Sequence, residues 1–142
     1  MLDAYRDLIE ELTGTPKELR RALDAAPAAG ATAAPLIAAL RDRDQVVYDR
    51  LQTMLRRRDP VLAPLPAETA GGGAETDAEA ALAGFNPIRG ELVSLLMNLT
   101  LRDWERTAID ERGAETVLAD EVERHVEFDE EARARILAVL GG

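Results

Sequence analysis

His125 is the only histidine in this chain of 142 residues, and there is no cysteine. Transition metals are held by imidazole, thiolate and carboxylate groups, and an open catalytic zinc site takes about three protein ligands. One imidazole cannot supply that set, so any chemistry must rest on carboxylates, on a metal-free pocket or on the surface. Two carboxylates stand at helical spacing from the histidine, Glu121 one turn before it and Asp129 one turn after. At about 100° per residue all three project toward one side of a helix, and flanking carboxylates favour the charged imidazole, a basis for proton transfer. Glu121, His125 and Asp129 are therefore candidates for an acid-base or metal-binding centre. The same spacing suits a structural cluster, because a buried carboxylate needs a partner and Arg43, Arg50 and Arg89 are available to Asp129.

Other catalytic chemistries have little support. Ser94 is the only serine, so no hydroxyl or thiol nucleophile with its partners can be assembled. The Gly71 to Gly73 run lacks a following lysine and a preceding strand, which makes it a flexible tip rather than a phosphate cradle.

The elements that must position these residues read as helices. Leu2, Tyr5, Leu8, Ile9 and Leu12 recur at helical spacing, Thr-Gly-Thr-Pro follows, and Leu19 and Leu23 resume the pattern, predicting a broken first helix over 2–26. Ala25 to Pro35 reads as a small-residue loop, and Leu36, Leu40, Val47, Leu51 and Met54 form the stripe of a second helix ending near Arg58. Arg43 falls near the centre of that stripe, with Ala39 and Arg50 beside it and Tyr48 off to one side. Residues 59–77, with three prolines and Gly-Gly-Gly, predict a long flexible crossover. A third helix is expected over 78–99 with a kink at Pro87, then a short turn carrying Trp104 as a cap on the core, then a last helix from Thr116 to Leu140.

Four apolar stripes joined by one long crossover predict an all-α four-helix bundle forming a single domain over 1–142. With apolar residues at 46% but aromatics at 4%, alanine, leucine and valine must fill its core. A net charge of −10 disfavours nucleic acid, whose binders gather positive charge, and the one basic run, Arg56-Arg57-Arg58, is expected to offset a helix dipole. No apolar stretch reaches the roughly 20 residues of a membrane span and the N-terminus is too acidic for a signal peptide, so no membrane association and a cytoplasmic location are expected.

Three segments, LIAALRDRDQVVYDRLQTML, FNPIRGELVSLLMNLTLRDWERT and VERHVEFDEEARARIL, resemble the DinB-like (YfiT-like) metalloprotein family of four-helix bundles. Its members bind a divalent metal through three histidines, in patterns like H-L-x-D on the second helix and H-D-x-x-H on the last, and include thiol-dependent S-transferases. In this chain the three matching positions hold Ala39, Phe128 and Ala132, while Asp42 and Asp129 keep the aspartates of the patterns. The resemblance thus implies a degenerate member without the triad. Ala39, Asp42, Arg43, Arg89, Phe128 and Ala132 would line its pocket, with no metal or other cofactor. The expected function is a non-catalytic binding or interaction protein, homodimeric, with a small-molecule or protein partner. The alternative is a zinc- or nickel-dependent S-transferase or hydrolase using a replacement centre of Glu121, His125 and Asp129. A third reading is an acidic, stress-related accessory protein that binds its partner through charge.

Overall fold

The computed structural model describes residues 2–65 and 75–141. Helix α1 spans Leu2–Ala25, a short 3₁₀ turn covers Pro27–Ala29, and α2 spans Gly30–Arg56. After the crossover come α3 (Ala78–Met97), the single turn α4 (Leu101–Trp104), strands β1 (Thr107–Ile109) and β2 (Glu115–Val117), and α5 (Leu118–Gly141). The four long helices form the bundle: α1 and α2 each pack against both α3 and α5. Consecutive helices α1 and α2 thereby lie across a diagonal rather than side by side. Among the described residues no single helix is long and apolar enough to cross a membrane.

Three expectations need correction. The first helix is not broken at Thr-Gly-Thr-Pro. Pro16 has no N–H to offer the carbonyl of Leu12, four residues back, and that orphaned oxygen instead accepts a hydrogen bond from Arg89 Nη1 at 2.8 Å. Tertiary contact thus repairs the ladder that the sequence appears to interrupt. Secondly, residues 30–35 belong to α2 rather than to a loop. Gly30 starts that helix close to α3, where an added Cβ would stand 3.3 Å from the Cβ of Ala78.

Thirdly, residues 107–117 form an antiparallel hairpin, with Thr107 opposite Val117, where only a connection was expected. Gly113 takes φ +80° in its loop, and the Asp110 carboxylate accepts from the backbone N–H groups of Arg112 and Ala114. The crossover joins this hairpin, because Leu62 N–H donates to Ile109 O and Ile109 N–H donates to Pro60 O, both at 2.8 Å. The glycine run at 71–73, read as a flexible tip, lies outside the described residues.

Caps fix the remaining ends. Asp77 accepts from the N–H groups of Glu79 and Ala80 at the start of α3. Thr100 and Asp103 form a reciprocal capping box on α4. Trp104 is buried at the bundle end and stacks on Tyr5, with ring centroids 4.3 Å apart.

The core divides in two. One apolar cluster gathers Leu19, Leu23, Ala34, Ile37, Leu40, Phe85, Ile136 and their neighbours; the other gathers Leu12, Val47, Leu51, Leu92, Trp104, Val122 and theirs. Along each long helix the change from one cluster to the other occurs at a buried polar residue: Thr15, Asp44, Arg89 and Asp129.

Candidate functional site

These polar residues form a single layer across the bundle. Arg89 lies at its centre, 1% exposed. Its Nε donates to Asp44 Oδ2 at 2.7 Å, its Nη2 donates to Asp44 Oδ1 at 2.8 Å and to Asp129 Oδ1 at 2.7 Å, and its Nη1 takes the Leu12 carbonyl. Thr15 Oγ1 donates to the remaining oxygen of Asp129 at 2.6 Å. His125 Nε2 stands 2.7 Å from Asp44 Oδ1. Each of the four long helices contributes, and every carboxylate oxygen in the layer is engaged.

The electrostatics follow from that geometry. Burial alone would raise the Asp44 carboxyl, but the Arg89 charge and the hydrogen bonds from Arg89 and His125 outweigh it and hold Asp44 below its ordinary value. Arg89, in turn, is held more firmly protonated: burial works against its charge, and the two carboxylates prevail. Its guanidinium also lies 4.7 Å from the centre of the Phe85 ring. A buried ion set of this kind is weak evidence for net stability, since desolvation offsets much of the attraction. What it does provide is a fixed register between four helices, because each helix has one partner position that satisfies the layer.

Of the sequence candidates, His125 and Asp129 meet in this layer, joined through Asp44 and Arg89. Glu121 does not join them. Its carboxylate accepts from Arg50 Nη2, from Thr116 Oγ1 at 2.8 Å and from Arg124. Arg50 also reaches the carbonyl of Ala63 in the crossover and Glu111 in the hairpin loop. Glu121 therefore anchors the hairpin and crossover to the bundle, and the expected three-residue centre separates into two structural clusters. Asp44 is the residue that sequence reasoning missed. The apolar stripe leaves a gap between Leu40 and Val47 that either 43 or 44 could fill, and the buried position is 44.

The residues expected to line a pocket divide in the same way. Ala39, Phe128 and Ala132 do come together: with Leu36, Leu40 and Arg135 they line a cleft of about 20 Å3 between α2 and α5. Beside it, Arg43, Val47, Arg50, Leu51, Leu65, Glu121, Arg124 and His125 enclose about 10 Å3. Arg43 lies with its guanidinium 4.0 Å above the Phe128 ring. Asp42 is a partly exposed partner of Arg41, at 3.0 Å, and Arg89 is a core residue rather than a lining one.

No protein-family profile matches the chain, and no curated protein matches it. Its structure is similar to that of YfiT from Bacillus subtilis, with a TM-score of 0.84 and 18% identity over 98% of this chain and 87% of that one. YfiT is described as a probable metal-dependent hydrolase with an unusual four-helix bundle topology. The two chains share a fold.

A divalent cation does not fit the residues of the cleft at Ala39, Phe128 and Ala132. Ala39, Phe128 and Ala132 offer no donor atom, and the Arg43 guanidinium on Phe128 and the Arg135 side chain bring positive charge there instead. In the adjoining layer the oxygens of Asp44 and Asp129 are already committed to Arg89, His125 and Thr15. Among the described residues no group of three or more histidine, cysteine or acidic side chains is placed to hold a metal.

Proposed function

We propose that this chain is a YfiT-fold bundle that retains the scaffold, has filled its inner cleft with packing side chains, and acts as a non-catalytic binding or interaction protein. The observation that supports this reading is the size of that cleft. Small-molecule sites run from about 300 to 1,000 Å3, whereas the two spaces at Ala39, Phe128, Ala132 and His125 measure about 20 and 10 Å3. The smaller is at the limit for one water molecule, about 10–15 Å3. A replacement centre of Glu121, His125 and Asp129 would need its three groups to reach one ligand, but Arg50 holds the first and Arg89 the third.

Calorimetric titration of untagged protein with zinc, nickel and manganese tests the reading. The wild type is expected to take up no stoichiometric metal, and the triple variant Ala39→His/Phe128→His/Ala132→His is expected to take up one zinc ion. One equivalent of metal on the wild type, lost in His125→Ala, would overturn the proposal. A triple variant that folds and stays metal-free would show that those three positions are not where the fold grips a cation.

A further inference from the structure

Away from the closed cleft, at one end of the bundle, five arginines line a single open cavity of about 510 Å3: Arg56, Arg57 and Arg58 at the end of α2, and Arg102 and Arg106 in and just after α4. Dipole compensation at the end of α2 accounts for Arg56 but not for the two arginines that approach from a different element. Among the described residues Arg106 is held by Asp103 at 3.2 Å, whereas Arg56, Arg57, Arg58 and Arg102 make no side-chain ion pair. In a chain with 27 acidic residues, four such guanidiniums on one cavity form a local reversal of charge.

The walls of this cup are fixed. Asp59 turns the chain with φ 45°, and its carboxylate accepts from Thr107 Oγ1. The backbone bonds between Pro60, Leu62 and Ile109 hold the crossover against the hairpin. The two walls thus face each other before any ligand arrives, which lowers the ordering cost of binding.

We propose that this cup is a binding site for a soluble, compact polyanion whose charge sits on phosphoryl groups, with a diphosphate as its minimal form. Guanidinium forks match phosphoryl oxygens in bidentate geometry, and several forks on one concave surface suit adjacent phosphoryl groups better than a single carboxylate. The lining contains two acidic residues, Asp59 and Glu105, and the first is engaged by Thr107. Met54 is the one apolar residue of the lining and no aromatic is present there, so a nucleobase has no aromatic face to stack on. Charge alone does the recognising. The inference is independent of the closed cleft, since among the described residues no hydrogen bond or ion pair joins the cup to the polar layer.

Titration calorimetry with inorganic diphosphate at low and physiological ionic strength tests it. The wild type is expected to bind one equivalent, more weakly as salt rises. Arg57→Ala/Arg102→Ala is expected to weaken binding by about tenfold or more, a change of about 1.4 kcal/mol. Arg21→Ala, which removes an exposed arginine on α1, is expected to leave it unchanged. No diphosphate binding, an unaffected double variant, or an equal loss in Arg21→Ala would overturn the proposal. Capture of the protein on vesicles containing phosphatidic acid, without binding of free diphosphate, would overturn the assignment to a soluble ligand. The altered side chains are exposed, and circular dichroism checks that both variants keep their helices.

Discussion

The polar layer and the arginine cup use the same side chain in opposite ways. At Arg89 each nitrogen has a partner, the surroundings exclude water, and the charge is consumed in holding four helices in register. At Arg56, Arg57, Arg58 and Arg102 the charges face solvent, gather on one cavity and make no side-chain ion pair among the described residues. A buried charge whose partners are all internal is architecture. A cluster of like charges that the fold gathers on one cavity, four of them with no side-chain ion pair among the described residues, is available for something else.

The largest expected effect comes from breaking the layer. Arg89→Ala leaves Asp44 and Asp129 buried without their cation, and removing one partner of a buried pair costs about 3–5 kcal/mol. That is a large part of the stability of a domain, about 5–15 kcal/mol, and urea unfolding would measure it. Replacing all three charges together, as Asp44→Leu/Arg89→Met/Asp129→Leu, is expected to recover part of the loss: matched apolar substitutes avoid the desolvation cost of the ions, while the Leu12 carbonyl and His125 still lose their partners. A loss below about 1 kcal/mol in Arg89→Ala would mean that water reaches the layer.

Acid sharpens the same point. Asp44 binds its proton less readily in the folded state than in the unfolded chain, so its contribution is complete above the ordinary aspartate value of about 3.9 and is lost as pH falls below it. Asp44→Asn is expected to be less stable than the wild type at neutral pH by about 1–3 kcal/mol. The gap should narrow through the acid range where the wild-type carboxylate takes up its proton. Unfolding curves recorded from pH 7 downward give the comparison, and a gap that stays constant to low pH would show that the charge on Asp44 is not what Arg89 holds.

How far these roles could be read from the sequence depended on how local their causes are. The stripe of α5 placed His125 and Asp129 inside the bundle, because a buried helix face repeats with the period of the helix itself. Asp44 escaped because one polar residue in a gap of seven fits two registers, and only the partner helices choose between them. Glu121 sat on the correct face, yet its partner Arg50 is 71 residues away, a distance that no periodicity reports. The hairpin did leave a signal: β-branched residues at Thr107, Ile109, Thr116 and Val117 flank a turn containing Gly113. Its short strands were overridden by the long helical patterns on either side. The basic run at 56–58 was visible, but its convergence with Arg102 and Arg106 belongs to the fold alone.

Pro16 is a smaller test of how the layer compensates local sequence. A proline inside a helix costs about 3 kcal/mol or more when its missing bond is left open. Here the Leu12 carbonyl is satisfied by Arg89, and restoring an N–H with Pro16→Ala also frees the unfolded chain, which costs about 0.4–1 kcal/mol. The variant is expected to lie within about 1 kcal/mol of the wild type in thermal or urea unfolding. A gain of about 3 kcal/mol would mean that the Arg89 contact does not repair the helix.

The smallest expected effect on stability completes the contrast. Arg57→Ala/Arg102→Ala removes two charges that make no side-chain ion pair among the described residues, so unfolding free energy should change by no more than about 0.5 kcal/mol, as for ordinary surface positions. If relief of repulsion within the cup is felt at all, the sign is toward greater stability, more so at low salt where exposed charges act at longer range. The same two substitutions are expected to weaken diphosphate binding by about tenfold. Arg89→Ala should reverse that profile, lowering stability steeply while leaving diphosphate affinity unchanged under conditions where the variant is folded. A double variant that unfolds more easily, in step with its loss of binding, would place the cup's arginines among the structural charges and erase the distinction between the two regions.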